Sequence, residues 1–339
     1  MENLINRPRR RFIRQAGTGL AALALPFSAT LQSILKHMKH ENQLDVIIVG
    51  GSYAGLAAAM ALGRALKKVL VMDDGKPCNR QTPHSHNFLT NDGKTPAEIA
   101  TLARHQVSQY ETVRFFQGRA KSGVKTGQGF EIEAATGEKF VAGRLIFATG
   151  IQDLLPDIGG LAECWGISAL HCPYCHGYEV RDEKNGVLGN GDTGFDFTRL
   201  ISNWTRDLTL FTNGPSTLTP AQREKLRQHR IAVVEKPIDR FEHTNGHIRE
   251  ILFKDGTRSA VKAVYAPSPF VQHCDIPESL GCELTEEGYI KIDHFQETTV
   301  KGVYAVGDNA ARMRTVANAV AMGTTAGITI SKKMILDAF

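Results

Sequence analysis

Residues 45–55 read Asp-Val-Ile-Ile-Val-Gly50-Gly51-Ser52-Tyr53-Ala54-Gly55, and the chain continues through an Ala- and Leu-rich stretch to Lys-Lys-Val-Leu-Val-Met-Asp73. The order is a buried strand, a tight glycine turn, a helix and a second strand. Gly50 permits the turn, Gly55 lets the helix approach the strand, and the helix N-terminus presents unpaired N–H groups that attract a pyrophosphate. The position of the middle glycine of the fingerprint is held by Ser52. Ala54 lies in the same turn, and Asp73 closes the second strand where ribose hydroxyls need an acceptor. A lone glycine fingerprint is a weak signal. Its strand–turn–helix–strand–acid context makes a dinucleotide site the better interpretation than an empty βαβ unit.

Outward from this unit, a second copy of the pattern appears. Asn185-Gly-Val-Leu-Gly189-Asn-Gly191-Asp-Thr-Gly194 is a complete G-x-G-x-x-G after a short strand, followed by a helical stretch and the strand Leu208–Thr212. That strand ends in Thr212-Asn213-Gly214, with neither the acid that receives an unphosphorylated ribose nor an arginine cluster for a 2′-phosphate. Near the C-terminus, Val303-Tyr-Ala-Val-Gly307-Asp308 reads as another buried strand, and the carboxylate at its end can bind a polyol such as a ribityl chain. Thr315 and Val316 open a helix of small residues whose N-terminus stabilises negative charge. Two dinucleotide folds in one chain imply a flavoprotein that meets a nicotinamide cofactor.

Between the two fingerprints lies His171-Cys172-Pro-Tyr-Cys175-His176-Gly-Tyr-Glu. If Cys172 opens a helix, both sulfurs fall on one face at i and i+3, and the helix N-terminus favours thiolates. Zinc would require two further ligands at matching spacing, and no second Cys-x-x-Cys is present. Cys-x-x-Cys-His is also the attachment pattern of a c-type haem. A site one linker ahead of a dinucleotide fingerprint leaves a haem no pocket of its own, so the haem-bearing electron carrier is the minor alternative. Cys78, Cys164, Cys274 and Cys282 read as buried thiols, with Cys274–Cys282 pairing left open. Asn79-Arg80-Gln-Thr-Pro-His84-Ser-His86-Asn87 reads as a polar loop lining a pocket.

The 339 residues are enough for two domains, and six cysteines are too few for a disulfide framework. Residues 1–42 carry seven basic and two acidic side chains, so the whole formal charge of +5 resides there. The remainder has no net basic balance, and a nucleic-acid partner is not expected. The leader reads Arg9-Arg10-Arg11-Phe12-Ile13-Arg14 before an apolar run from Gly17 to Leu25 that is too short to span a membrane. That order matches a twin-arginine export signal and predicts a periplasmic protein. The alternative is a cytoplasmic protein that starts at Met38.

With Gly50–Gly55, Ala148-Thr149-Gly150, Cys172–Cys175, Gly189–Gly194 and Gly307-Asp308 placed in this order, the chain resembles the low-molecular-weight thioredoxin reductases over about residues 44–335. These form the class-II pyridine nucleotide-disulfide oxidoreductases. The resemblance implies an α/β fold of two Rossmann-like three-layer dinucleotide-binding domains, the second inserted into the first. After the leader at 1–42, an FAD domain takes residues 43–151 and 272–339, and an NAD(P) domain carrying the dithiol takes 152–271. It implies FAD contacts from Gly50, Ser52, Ala54, Gly55, Asp73, Asn87, Ala148, Thr149, Gly150, Gly307, Asp308, Thr315 and Val316. NADPH or NADH would lie on Gly189, Gly191, Gly194 and Thr212. By the same resemblance Cys175 is the flavin-proximal thiol, Cys172 exchanges with substrate, and His176 replaces an aspartate acid. An imidazole manages protons near neutral pH. A homodimer is implied, and so is a thioredoxin-like protein or a small-molecule disulfide or dithiol as partner. The Cys-x-x-Cys-His-Gly-Tyr-Glu form is also similar to the gliotoxin- and holomycin-type dithiol oxidases, which run electrons from a substrate dithiol through FAD to oxygen. The direction of flow therefore stays open.

Overall fold

The computed structural model describes residues 44–339, so the leader and Met38 lie outside the described residues. Two sheets organise the chain, the larger one mixed and the smaller one parallel. In the larger, the strands run in the order Val113–Gln117, Val69–Asp73, Leu44–Val49, Lys139–Phe147, and the first half of Lys139–Phe147 continues antiparallel into Gly129–Ala134 and Ala120–Thr126. Its second half pairs in parallel with Val303–Ala305 from the far end of the chain. The sequence explains the arrangement. Val46, Ile47, Ile48, Val69 and Val71 are fully buried, an apolar run covered on both faces as a central parallel strand requires.

The glycine turn is the tightest part. Gly50 takes φ +106°, a left-handed conformation that suits glycine, and a Cβ on Gly55 would lie 1.9 Å from the Gly50 carbonyl oxygen. Helix Tyr53–Arg64 therefore packs directly on the strand end. Helix Val316–Ala338 then lies against it through small residues: a Cβ on Gly323 would reach the Ala54 carbonyl at 2.0 Å. The helix starts where the sequence placed it, with Thr315 as its N-cap, and runs eleven residues beyond the small-residue stretch 315–327.

The second sheet has the order Ala232–Val234, Leu208–Phe211, Asn185–Leu188, Ala263–Tyr265, Ala169–Leu170, all parallel. A three-stranded antiparallel sheet, Ile238–Thr244, His247–Phe253 and Arg258–Ala260, packs beside it. The chain enters and leaves this region through one antiparallel ribbon, Ile151–Asp153 paired with Phe270–Gln272. Among the described residues no helix is long and apolar enough to cross a membrane.

Candidate active site at the dithiol

Cys172 is the N-cap of the short helix Pro173–His176, and proline at the first helical position fixes its start. The two cysteines form a disulfide with Cα atoms 5.3 Å apart, and the Cys175 N–H donates to the Cys172 sulfur at 3.2 Å. A thiolate at position 172 would keep that donor and the helix N-terminus as stabilising partners.

The dithiol faces a cavity of about 140 Å³ that both sheets help to build. Cys172, Cys175, His171, His176 and Trp165 come from the second; Cys78, Asp308, Arg314, Thr315 and Val316 come from the first. Arg314 holds this corner together. Its Nη1 and Nη2 each donate to one oxygen of Asp153 at 2.9 Å, a bidentate pair between the helix start and the connecting ribbon. Its Nη1 also lies 3.5 Å from His171 Nε2. Asp308 Oδ2 is 3.8 Å from Nε.

Burial sets the protonation states here. It lowers His171 to about 4, with Arg314 adding to the effect, so this imidazole is neutral at neutral pH. Burial also holds His176 below its ordinary value, opposed by Glu179. Burial raises the Asp308 carboxyl, with Arg314 opposing. Cys78 lines the cavity and is exposed, so it is not the buried thiol expected from the sequence, and Cys274 is only partly buried. Crowding of protein atoms around the Cys78 sulfur, with the Asp308 carboxylate adding to the effect, still pushes its thiol up to about 11.

The first nucleotide fold suits FAD on its own geometry. Among the described residues no side chain caps helix Tyr53–Arg64, and its first turn has no acid, so the N–H groups at Ser52–Tyr53 are available to an anion. Asp73 Oδ1 accepts the Gly51 N–H at 3.1 Å, which fixes the carboxylate beside the turn. Asn309, fully buried, donates to the Phe147 carbonyl and to Thr149 Oγ1, and so shapes Ala148-Thr149-Gly150 around the Asp308 corner. Arg314 Nε is buried without a hydrogen-bond partner among the described residues, on the side of Asp308. A polyol or ring carbonyl placed there would satisfy it.

Several sequence expectations meet a different geometry. Asn87 is exposed, its φ is +59°, its N–H donates to Asp92, and it does not line the cavity. The neighbouring His86 does line it, between Asp92 at 3.6 Å and Glu179 at 3.4 Å. His84 instead contacts the Gly93 carbonyl. Thr212 follows the strand Leu208–Phe211 rather than ending it, and is buried with its hydroxyl donating to Gly214 O at 2.6 Å. Its hydroxyl is also within 3.3 Å of the Val234 carbonyl of the adjacent strand, so it is already engaged by the protein's own acceptors. Cys274 and Cys282 are free thiols. Arg314, Asp153 and His171 are cavity groups that the sequence did not single out. The signal available was the position of Arg314 directly before the Thr315 helix start.

The pattern of the family described as "Pyridine nucleotide-disulphide oxidoreductase" matches residues 44–323. A protein of Claviceps purpurea named "Thioredoxin reductase tcpT" is 32% identical over 319 residues, covering 88% of this chain and 97% of that protein. The solved structure of an oxidoreductase from Agrobacterium tumefaciens is 37% identical, with a TM-score of 0.81 over 87% of this chain and 99% of that one. The structure of HlmI is 32% identical, with a TM-score of 0.84 over 88% of this chain and 95% of that one.

Proposed function

Because the chain belongs to the pyridine nucleotide-disulphide oxidoreductase family and is an FAD-dependent disulfide oxidoreductase of the thioredoxin reductase type, we propose that it works as a reductase of a thioredoxin-like protein or small-molecule disulfide. The observation that supports this most is the single cavity shared by the Cys172–Cys175 disulfide, His176 and the Asp308–Arg314 corner. When bound, FAD supplies two-electron exchange with the dithiol, and a nicotinamide dinucleotide supplies the hydride.

The protein's own groups do the rest. Two electrons open the Cys172–Cys175 bond to a thiolate pair. Cys172 then attacks one sulfur of the substrate disulfide, that S–S bond breaks, and the leaving thiolate takes a proton from His176. His176 takes that proton from solvent once the disulfide has opened: burial holds it below its ordinary value beside a closed disulfide, and two adjacent negative charges favour its imidazolium. Cys175 next attacks Cys172 in the mixed disulfide, which reforms the intramolecular bond and releases the second substrate thiolate to a solvent proton. Arg314 and Asp153 position His171 and the helix start without entering the exchange.

One observation favours the reverse direction. With the disulfide closed, a neutral His176 is a base, suited to take the proton of an incoming substrate thiol that attacks Cys172. A substrate dithiol would then leave as a disulfide, and oxygen or a quinone would accept the electrons. The basic leader Arg9–Arg14 supports export, where this direction needs no reduced nicotinamide; cell fractionation measures that. A homodimer is supported by Ile328, Ile335 and Leu336, exposed at helical spacing on Val316–Ala338, and sedimentation measures it.

Anaerobic mixing with NADH, NADPH and dithiothreitol, side by side, decides the direction. Flavin bleaching by a nicotinamide supports the reductase; bleaching by dithiothreitol alone supports the oxidase. Cys175→Ser should retain yellow FAD and lose disulfide turnover by about a thousandfold or more. Turnover near the wild-type rate in that variant would remove the dithiol from the mechanism.

A further inference from the structure

We propose that Glu235 is a built-in stand-in for a 2′-phosphate, so that the second nucleotide fold prefers NADH to NADPH; this rests on the reductase direction. In a doubly wound fold the ribose 2′-substituent lands beside the loop that follows the second strand. Here that loop runs from Thr212 to Thr219, after Leu208–Phe211. No acid or arginine occupies its start, at Thr212-Asn213-Gly214.

The acid comes from the neighbouring strand instead. Phe211 pairs with Val234 in parallel register, so Glu235 emerges beside Thr212. Glu235 Oε2 accepts the Ser216 N–H at 2.9 Å, and its Oε1 accepts from Arg223 Nη2 at 2.7 Å. A backbone N–H and a guanidinium are the donors that recognise a phosphate. Both are already bound to a carboxylate of the chain. The loop is also drawn onto the glycine turn: Thr217 N–H donates to Asn190 Oδ1 at 2.8 Å, and a Cβ on Gly191 would lie 2.9 Å from Thr217 Oγ1.

A 2′-phosphate entering this corner must displace Glu235 or sit beside its charge. An unphosphorylated ribose meets an acceptor and no repulsion. The next residue, Lys236, is paired with Asp255 at 2.8 Å and donates to Thr257, so it is engaged elsewhere.

The test is calorimetric binding of NAD+ and NADP+ to the FAD-loaded protein. Wild type should bind NAD+ about tenfold more tightly than NADP+, a discount from the full strength of charged hydrogen bonds because the corner is exposed. Glu235→Ala frees Ser216 N–H and Arg223, and should tighten NADP+ about tenfold while NAD+ stays within about threefold. Arg223→Ala added to Glu235→Ala should cancel that gain. Equal affinities in wild type, no NADP+ gain in Glu235→Ala, or binding of neither dinucleotide would each overturn the inference. Flavin bleaching separates this from the reductase reading. If NADPH bleaches as fast as NADH, the specificity inference falls and the reductase stands; if NAD+ binds selectively but neither reduced dinucleotide bleaches, the reverse holds.

Discussion

The two nucleotide folds share strand order and glycine spacing, yet their glycine turns are left in opposite states. Helix Tyr53–Arg64 starts with no side-chain cap and no acid in its first turn among the described residues. Helix Gly191–Ile201 starts with Asn190 accepting the Gly191 N–H, with Asp192 in its first turn, and with Glu235 tied to the adjoining loop. The first is an open anion site, whereas the second has satisfied much of its own donor set. Glycine spacing reports whether a chain can make the turn. It does not report whether the donors are still free, and that decides which ligand is held and how tightly.

The comparison breaks most sharply at the close approaches. In Gly55→Ala the new methyl meets the Gly50 oxygen at 1.9 Å, and in Gly194→Ala it meets the Gly189 carbonyl carbon at 2.6 Å. Each should cost about 3 kcal/mol of stability through overpacking, read from denaturant unfolding. Only Gly55→Ala should lose FAD, by about a hundredfold or more in affinity, because the crowded turn is the one whose donors are free. Loss of FAD from Gly194→Ala as well would show that the two folds do not bind independently.

A smaller effect is expected where the folds meet, at His171 against Arg314. The folded His171 titrates at about 4 and an unfolded histidine at about 6.5, so the native state binds fewer protons between those values. Its contribution to stability is complete above pH 6.5 and is lost as pH falls toward 4, by about 3 kcal/mol at most. Chemical unfolding across that window should show the decline, and His171→Gln should flatten it. An unchanged slope would mean that His171 is solvated and that the Arg314 corner is looser than its bidentate geometry implies.

What the sequence disclosed follows the same division between local and distant. Gly50–Gly55, Gly189–Gly194 and Cys172–Cys175 are legible because a turn, a helix start and an i, i+3 pair are made by neighbouring residues. The Arg314–Asp153 pair joins positions 161 residues apart, and Glu235 reaches Ser216 from an adjacent strand. Neither contact leaves a periodic trace. Thr212 stood at the expected strand end but spends its hydroxyl on Gly214, since a buried hydroxyl must find an acceptor and the loop supplies one. Asn87 lies outside the dithiol cavity because it is exposed at a turn, and His86 beside it carries the contact to Glu179.

The finest distinction lies between two acids of the second fold, Asp192 and Glu235. Asp192 sits in the first turn of helix Gly191–Ile201, where a carboxylate favours the helix and opposes any incoming pyrophosphate. Its Oδ1 accepts from Gln222 at 2.7 Å, which holds it near the turn. Asp192→Ser should therefore lower stability by about 0.5 kcal/mol and raise dinucleotide affinity about two- to threefold, for NAD+ and NADP+ alike. Both effects are measured by the unfolding and calorimetric experiments above. The pyrophosphate is common to both cofactors, so the ratio of affinities should not move; only Glu235, at the 2′ corner, should change it. A shift in the ratio with Asp192→Ser would mean that the two carboxylates act as one field rather than as two separate contacts.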